Sequence, residues 1–285
     1  VMAELPLVIV NVQRGGPSTG LPTKTEQSDL LQALYGRNGE SPIVVLAAST
    51  PSDCFYYSYM ASKIALERMV PVLLLTDGFL GNGSEPWKIP SMAELPSITP
   101  RIAKNAEEFK AYRRDDKTLA REWAFPGMKG FEHRIGGLEK NEIGTVSHDP
   151  ENHHVNTEIR EQKVERVVDL VPDLEICGDE EGGEVLVVGW GGTYGHLIST
   201  VRELRREGKD VSLAHFNYIK PLPKNTNEVF GKFKKIIVCE LNLGQFAAYL
   251  RDRVPGYTYH QANKVKGLPF TVSELKESIN KLLED

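Results

Sequence analysis

The sequence predicts an α/β protein with two mostly parallel β-sheets, and three observations support this prediction. Short apolar runs of strand length recur in both halves of the chain. Segments whose apolar residues follow helical spacing lie between these runs, so strands and helices alternate. Capping signals mark the starts of two of the helices. Strands that alternate with helices are joined by right-handed crossovers, which make the strands of each sheet parallel.

The first hundred residues contain three predicted strands and one helix with clear start signals. Runs of β-branched residues and leucine suit strands that are buried on both faces of a sheet. The predicted strands are residues 7–12, 43–48 and 72–76. The helix is predicted at 51–69, where Thr50 can cap it, Pro51 suits its first position and Asp53 can return a hydrogen bond.

The last hundred residues repeat this alternation and predict a second sheet. The predicted strands are residues 185–188, 211–215, 235–239 and 257–261. The predicted helices are residues 194–207, residues 244–253 and a last helix after Thr271. Glu274 stands three residues after Thr271, which is a second capping-box pattern.

Residues 81–181 differ from both ends of the chain. Prolines and charges crowd this stretch, and it is too long to be a bare linker inside a compact domain. We interpret it as an extended connection with small elements, among them a helix at 156–170 and a turn at 178–183. The predicted division of the chain is 1–100, 101–183 and 184–285.

Composition excludes several classes of protein. The 285 residues carry a net charge of -5, so no broad basic face indicates nucleic acid or an anionic membrane as partner. The longest apolar stretch, 70–75, is far shorter than the roughly 20 residues that span a bilayer. No signal peptide is visible at the start, so we expect a cytoplasmic protein without membrane contact. The first six residues resemble the tail of a helix, which predicts that a preceding portion is missing.

Three cysteines, Cys54, Cys177 and Cys239, are scattered along the chain. Three separate thiols cannot form a disulfide framework or a four-thiolate metal site. The segment from His148 to His154 contains histidines and carboxylates, but it lacks the spacing of a familiar zinc motif. We interpret it as a polar turn or an interface loop.

Two glycine-rich segments resemble nucleotide-binding loops but lack essential features. Gly15 and Gly20 have the spacing of a phosphate-binding loop, yet Leu21 and Pro22 stand where lysine and a hydroxyl residue are required. The run 189–195 follows a predicted strand, but its third glycine comes one residue late for a dinucleotide fingerprint. We predict neither an ATP site nor an NAD site.

Arg14 is the most informative polar residue because it follows a predicted buried strand. Ligands of α/β proteins bind beyond the carboxyl ends of the strands, and a guanidinium can hold a carboxylate through two parallel hydrogen bonds. The alternative is an ion pair between Arg14 and its own chain. Asp77, Gly78 and Phe79 follow another strand and are predicted to share this edge.

The segment 11–29 closely resembles the α subunits of 2-oxoacid:ferredoxin oxidoreductases, particularly the 2-oxoglutarate type. Further segments resemble the family in the expected order, and the resemblance covers essentially the whole chain. These segments are residues 137–144, 148–153, 188–195 and 242–245. The resemblance implies that 1–100 is the later part of a thiamine-diphosphate pyrimidine-binding domain and that 184–285 is a transketolase C-terminal-like domain.

The resemblance also implies an activity. Enzymes of this family oxidatively decarboxylate a 2-oxoacid with coenzyme A, and 2-oxoglutarate would give succinyl-CoA, carbon dioxide and reduced ferredoxin. Thiamine diphosphate and magnesium would lie at the interface with a β subunit, and the β subunit would also carry an iron–sulfur cluster. None of these three groups is expected on this chain alone. The chain would be inactive by itself, would assemble as a dimer of α/β units, and would serve anaerobic metabolism. The glutamate that activates the pyrimidine ring is expected upstream.

Site residues follow by position within the resembling segments. Arg14 would hold the substrate carboxylate and act as the catalytic residue. Four further residues of the same loop would bind substrate: Ser18, Thr19, Thr23 and Lys24. The alternatives are a branched-chain 2-oxoacid enzyme and a non-catalytic assembly module, in which Arg14 only ties the loop to a partner.

Overall fold

The computed structural model describes residues 1–284, and that part of the chain contains nine strands and eight α-helices. The strands are β1 (Leu7–Gln13), β2 (Val44–Ala47), β3 (Pro71–Asp77), β4 (Ile176–Cys177), β5 (Gly183–Trp190), β6 (Val211–Phe216), β7 (Tyr218–Lys220), β8 (Phe233–Glu240) and β9 (Tyr259–Asn263). The helices are α1 (Leu30–Tyr35), α2 (Pro51–Arg68), α3 (Gly78–Asn82), α4 (Pro150–Glu165), α5 (Tyr194–Arg206), α6 (Thr226–Gly231), α7 (Gln245–Arg253) and α8 (Val272–Glu284).

Two mostly parallel sheets confirm the predicted α/β class. The first sheet has the order β1-β3-β2-β7, in which only β7 is antiparallel to its neighbour. The second has the order β4-β6-β5-β8-β9, in which only β4 is antiparallel. The short strand β7 follows β6 of the second sheet along the chain, yet it pairs with β2 of the first. The sequence analysis did not predict β7.

The apolar core has three layers because most strands bury both of their faces. Val45 and Ala47 of β2 face a central core that also takes side chains from β5, β6 and β8, and from α1, α6 and α7. Their neighbours Val44 and Leu46 face a second core under α2. A third core lies between the second sheet and the pair α5 and α8. The alternation within β2 is the period of two that a strand imposes on its side chains.

Both predicted capping patterns are present, and one is complete. At α8, the Glu274 amide donates to the Thr271 hydroxyl (3.2 Å), and the Glu274 carboxylate accepts from the Thr271 amide (2.8 Å). At α2, the Asp53 amide donates to the Thr50 hydroxyl (3.2 Å). The Asp53 carboxylate accepts from the Ser49 hydroxyl, so the predicted return bond to Thr50 was wrong.

Strand β1 is not buried, contrary to prediction. Leu7, Ile9, Val10 and Val12 are between 41% and 57% exposed. The physical reason is position: β1 lies at the edge of its sheet and pairs with β3 alone, so it lacks a second neighbouring strand. Its apolar composition is that of an interior strand, but its place in the sheet of this chain is peripheral.

Helix α4 begins six residues earlier than the predicted start of 156. Asp149 caps the helix through the Glu151 amide (3.2 Å), and Pro150 occupies its first position. His153 and His154 are therefore helical, and the interpretation of this segment as a turn was wrong. A 3-10 turn, Arg166–Leu170, continues the chain to the predicted helix end. None of the helices within residues 1–284 has the length and apolar character that a bilayer span requires.

Candidate functional site

The carboxyl ends of β1 and β3 meet at one edge of the first sheet. Gln13 pairs with Asp77 in register, so the segments that follow the two strands leave the sheet side by side. Residues 14–29, named here the Arg14 loop, connect β1 to α1. The Gln13 side chain closes the base of this loop, because it donates to the Thr76 carbonyl (3.2 Å) and accepts from the Asp29 amide (3.1 Å).

The Arg14 loop folds back on itself through backbone hydrogen bonds. The Gly15 amide donates to the Lys24 carbonyl (2.9 Å), and the Leu21 amide donates to the Gly15 carbonyl (2.8 Å). Gly20 has a φ of +46°, and a Cβ added there would lie 2.0 Å from the Gly15 carbonyl oxygen. The loop therefore needs glycine at this position for close backbone packing, which accounts for its resemblance to a phosphate loop.

Arg14 presents an unpaired cation at this edge. Its backbone carbonyl accepts a hydrogen bond from the Ser28 hydroxyl (2.9 Å), which fixes the start of its side chain. Its guanidinium is solvent-exposed and makes no hydrogen bond or ion pair with any of residues 1–284. The described residues thus provide no partner for the alternative, in which Arg14 forms an ion pair with its own chain.

The cavity around Arg14 has the polar groups that bind a carboxylate. Its volume is about 550 Å³. The lining residues are Asn11, Val12, Arg14, Gly16, Pro17, Ser18, Glu26, Ser28 and Asp29. The Asp29 carboxylate is already satisfied by Asn11 (3.1 Å) and by the Ser28 hydroxyl (3.2 Å). The guanidinium of Arg14 is therefore the charge-bearing donor that this cavity leaves open for an anion.

Other predicted residues of the loop line a separate groove of about 380 Å³. Thr23 and Lys24 form one wall of this groove, and Gly78 and Phe79 form another. Ser18 lies with Arg14 in the first cavity, whereas Thr19 lines neither space. The structure thus divides the predicted residues between two neighbouring depressions on either side of the loop.

Asp77 reaches neither depression, although the sequence analysis predicted it at this edge. The side chain is buried, and its carboxylate accepts from the Thr25 hydroxyl (3.0 Å) and from the amides of Phe79 (2.7 Å) and Leu80 (3.1 Å). Burial raises the pKa of Asp77, and these hydrogen bonds oppose that rise. Asp77 therefore caps α3 and holds the loop, while Gly78 and Phe79 face the groove.

The glycine run at the end of β5 packs closely against other parts of the chain. A Cβ added at Gly192 would lie 2.1 Å from an Asp77 carboxylate oxygen, so this turn packs directly against the end of β3. At the end of the neighbouring strand, the buried Glu240 carboxylate accepts from the amides of Phe246 (2.7 Å) and Ala247 (2.9 Å). Burial raises the pKa of Glu240. The Gly192 turn thus contacts the first sheet, whereas Glu240 holds the start of α7 within the second half of the chain.

The histidine segment also makes protein contacts. His153 Nδ1 lies 2.9 Å from a Glu139 carboxylate oxygen, and Arg160 donates to both oxygens of the same carboxylate (3.1 Å each). These contacts hold the segment before α4 against the helix.

Sequence reasoning missed the residues that anchor the Arg14 loop. The Thr25 hydroxyl donates to the Asp77 carboxylate, and the Glu26 carboxylate accepts from the Gly267 amide (3.0 Å). The side-chain amide of Gln27 contacts the ends of β5 and β8. Three consecutive polar residues are thus buried against three different elements. Nothing local in the sequence distinguishes these residues from the exposed polar residues before them.

Comparison with known proteins places this fold in a family. Residues 1–151 match the family described as "Pyruvate flavodoxin/ferredoxin oxidoreductase, thiamine diP-bdg". Over 284 residues the chain is 48% identical to the 2-oxoglutarate oxidoreductase subunit KorA of Mycobacterium tuberculosis, covering 99% of this chain and 43% of that one. It is 31% identical to the 2-oxoglutarate synthase subunit KorA of Archaeoglobus fulgidus, covering 90% of this chain and 68% of that one.

A solved structure has the same fold over nearly the whole chain. It is the 2-oxoglutarate:ferredoxin oxidoreductase from Magnetococcus marinus with 2-oxoglutarate, coenzyme A and succinyl-CoA bound. The TM-score is 0.93 at 30% identity, covering 99% of this chain and 49% of that one. The chain thus spans less than half the length of the Magnetococcus chain and of the Mycobacterium relative.

The two parallel sheets and the match over residues 1–151 define an α/β protein whose first half is a domain of the thiamine-diphosphate-binding type. The chain belongs to the pyruvate flavodoxin/ferredoxin oxidoreductase family and is similar to the KorA subunits of its 2-oxoglutarate members. The predicted family resemblance is therefore confirmed.

Proposed function

We propose that this chain is part of the α subunit of a thiamine-dependent 2-oxoglutarate:ferredoxin oxidoreductase. That enzyme would convert 2-oxoglutarate and coenzyme A into succinyl-CoA and carbon dioxide, and would pass two electrons to ferredoxin. The observation that carries the proposal is the exposed guanidinium of Arg14 at the carboxyl edge of the first sheet, which pairs with no side chain of residues 1–284. The Magnetococcus relative, with 2-oxoglutarate and succinyl-CoA bound, supports the same substrate.

Arg14 would orient the substrate rather than perform the chemistry. Its planar guanidinium can grip the carboxylate next to the keto group through two parallel hydrogen bonds, which fixes the keto carbon in one position. The Ser18 hydroxyl lines the same cavity and can donate to a remaining carboxylate oxygen lone pair. A fixed cation also favours a dianionic acid over a monoanionic one.

The described residues do not fit the metal-binding end of the cofactor. Among residues 1–284, no group of three or more histidine, cysteine, aspartate or glutamate side chains is arranged to hold a metal ion. We therefore assign the magnesium and diphosphate site, and the iron–sulfur cluster, to a β subunit, and we derive no step through them.

The remaining assignments extend the proposal to the assembly. We assign the complex to the cytoplasm, as a dimer of α/β units. Within this chain we assign 1–100 to the pyrimidine-binding domain, 101–183 to a connecting segment and 184–285 to a transketolase C-terminal-like domain. Thr23 and Lys24 would contact substrate or cofactor from the groove once the β subunit is in place. Thr19, which lines neither depression, would join them from the same loop.

The test is anaerobic viologen reduction by the complete α subunit purified with its β partner. The assay contains thiamine diphosphate, magnesium and coenzyme A, and it compares 2-oxoglutarate, pyruvate and 2-oxoisovalerate. We expect rapid reduction with 2-oxoglutarate alone. Preference for 2-oxoisovalerate would make the enzyme a branched-chain type, and no reduction with any acid by a cluster-loaded complex would favour the assembly module.

Arg14→Ala should lower kcat/KM for 2-oxoglutarate by at least about 100-fold, because it removes a charge-assisted bidentate contact. Arg14→Lys keeps the charge but loses the planar fork, so an intermediate loss is expected. Arg206→Ala, at an exposed arginine on α5, is the matched control and should leave kinetics unchanged. Wild-type kinetics in Arg14→Ala, with assembly intact, would exclude a substrate role.

A further inference from the structure

Gln27 is a fully buried side chain that joins the Arg14 loop to the second sheet. Its Nε2 donates to the Trp190 carbonyl (2.7 Å), and its Oε1 accepts from the Leu241 amide (2.9 Å). Trp190 ends β5 and Leu241 follows β8, and these two strands are parallel neighbours. One amide group therefore bridges the carboxyl ends of two strands in the other sheet.

The backbone of Gln27 strengthens the same connection. Its amide donates to the Leu241 carbonyl (3.0 Å), and its carbonyl accepts from the Asn242 side chain (2.8 Å). The site is tightly enclosed, because a Cβ added at Gly191 would lie 3.2 Å from the Gln27 Nε2 atom. All four hydrogen-bonding groups of this residue are thus satisfied by the ends of β5 and β8.

The connection leads directly to Arg14. Ser28, the next residue, donates its hydroxyl to the Arg14 carbonyl (2.9 Å). The Ser28 carbonyl is itself held by the Gln245 side chain (2.9 Å), whose oxygen also accepts from the Leu31 amide (3.0 Å). Displacement of Gln27 would therefore move the residue that fixes the start of the Arg14 side chain.

We propose that Gln27 is the positioning residue for Arg14: it sets the place of the substrate-binding guanidinium by clamping the Arg14 loop to the ends of β5 and β8. The inference rests on the proposed role of Arg14 in substrate binding. Gln27 is fully buried and does not line the Arg14 cavity. Its effect on the reaction passes through Arg14.

The clamp requires an amide of this length. A glutamate would place a carboxylate oxygen against the Trp190 carbonyl, where a donor is needed, and would bury a charge. Methionine preserves the shape but leaves the Trp190 carbonyl and the Leu241 amide without partners. Asparagine retains donor and acceptor but is one methylene too short to reach both strands.

The test measures kcat/KM for 2-oxoglutarate in the complete α/β complex for Gln27→Met and Gln27→Asn, alone and combined with Arg14→Ala. Each single variant should lower kcat/KM by about 10- to 100-fold, since small displacements of a positioning group cost this much. In the Arg14→Ala background the same substitutions should change kcat/KM by less than about twofold, because their effect passes through Arg14. A full further loss in that background, or unchanged kinetics in both single variants, would overturn the proposal.

Asn225→Leu is the matched control for general destabilisation. The Asn225 side chain also clamps backbone, since it accepts from the Leu174 amide (2.8 Å) and donates to the Leu174 carbonyl (3.0 Å), but it has no contact with the Arg14 loop. Its loss should lower the melting temperature without lowering kcat/KM. An equal kinetic loss in Asn225→Leu would mean that Gln27 acts only through stability.

Hydrogen exchange supplies a readout that does not depend on activity. Gln27→Met should speed exchange in the peptide that covers residues 14–24, and Asn225→Leu should not. If the wild-type complex oxidises no 2-oxoacid, the proposed function fails, while faster exchange would still support the clamp. Unchanged exchange in an active complex would instead reject the clamp and leave the proposed function standing.

Discussion

Single charged residues serve opposite purposes in this chain. Arg14 is exposed and has no ionic partner among residues 1–284, which leaves its charge for a ligand, whereas Glu4 is buried between two cations. Its carboxylate accepts from Arg114 and Lys163, and Lys163 also donates to the Met69 carbonyl (3.0 Å). Burial alone would raise the pKa of Glu4, but the two cations lower it to about 2. Glu4 therefore fastens the start of the chain to residues before and within α4.

Glu4→Gln should lower the free energy of unfolding at pH 7 by about 3–5 kcal/mol, because it leaves the buried Lys163 without its counter-charge. The wild-type contribution is fully present above the ordinary glutamate pKa and is lost as the pH falls through the folded pKa of about 2. The difference between the two proteins should therefore shrink from about pH 4.5 downwards. Denaturant unfolding at several pH values measures it.

Glu142→Gln provides the comparison for this prediction. Glu142 pairs with Lys110 at 3.0 Å, but both side chains are about half exposed, so its loss should cost at most about 1 kcal/mol. Equal effects of the two substitutions would show that burial of the Glu4 pair contributes nothing.

At the scale of elements, the turn from β5 into α5 brings the two sheets together. Gly192 lies so close to Asp77 that a side chain at position 192 would collide with the Asp77 carboxylate. This carboxylate caps α3 and accepts a hydrogen bond from the Thr25 hydroxyl. Three glycines of the run 189–195 are thus in close contact with neighbouring atoms: Gly189, Gly191 and Gly192. The same turn supplies the Trp190 carbonyl to Gln27.

Gly192→Ala should destabilise the protein by about 1–3 kcal/mol or more, because the added Cβ must displace Asp77 or the turn. Gly195→Ala is a control within the same run: its Cβ would meet nothing within 4 Å, and it lies at the start of α5. That variant should have unchanged stability or gain up to about 1 kcal/mol. Thermal unfolding of both variants measures the contrast, and equal melting temperatures would contradict the close contact at Gly192.

At the scale of the whole molecule, one core serves both sheets. Val45 and Leu73 of the first sheet share a buried cluster with Trp190, Phe216 and Phe246 of the second half. Strand β7 adds a hydrogen-bonded connection, since it continues from the second sheet into the first. Neither sheet can be separated from the other without exposing this apolar surface.

The described chain should therefore unfold in a single cooperative transition. Scanning calorimetry and intrinsic tryptophan fluorescence, to which the buried Trp190 contributes, should report the same midpoint, with equal calorimetric and van't Hoff enthalpies. Two resolved transitions would mean that the two sheets fold as separate units, as the predicted boundaries at 100 and 183 would allow.

The sequence alone determined the features that depend on local patterns. Apolar runs predicted the α/β class and nearly all of the longer strands, and Thr271 with Glu274 predicted the start of α8, because strand periodicity and capping involve residues a few positions apart. The motif around Arg14 predicted a ligand edge and the family. The start of α4 was also present in the sequence, as Asp149 followed by Pro150, but the prediction overlooked it.

Only the tertiary structure decided which of these residues are buried, paired or free. Apolar composition could not reveal that β1 lies at an edge. Spacing could not reveal that Asp77 caps a helix while the Arg14 guanidinium has no partner in the described part of the chain. The Gln27 clamp joins residues more than 160 positions apart in sequence. Such contacts depend on how distant elements pack, and no local pattern of residues encodes that packing.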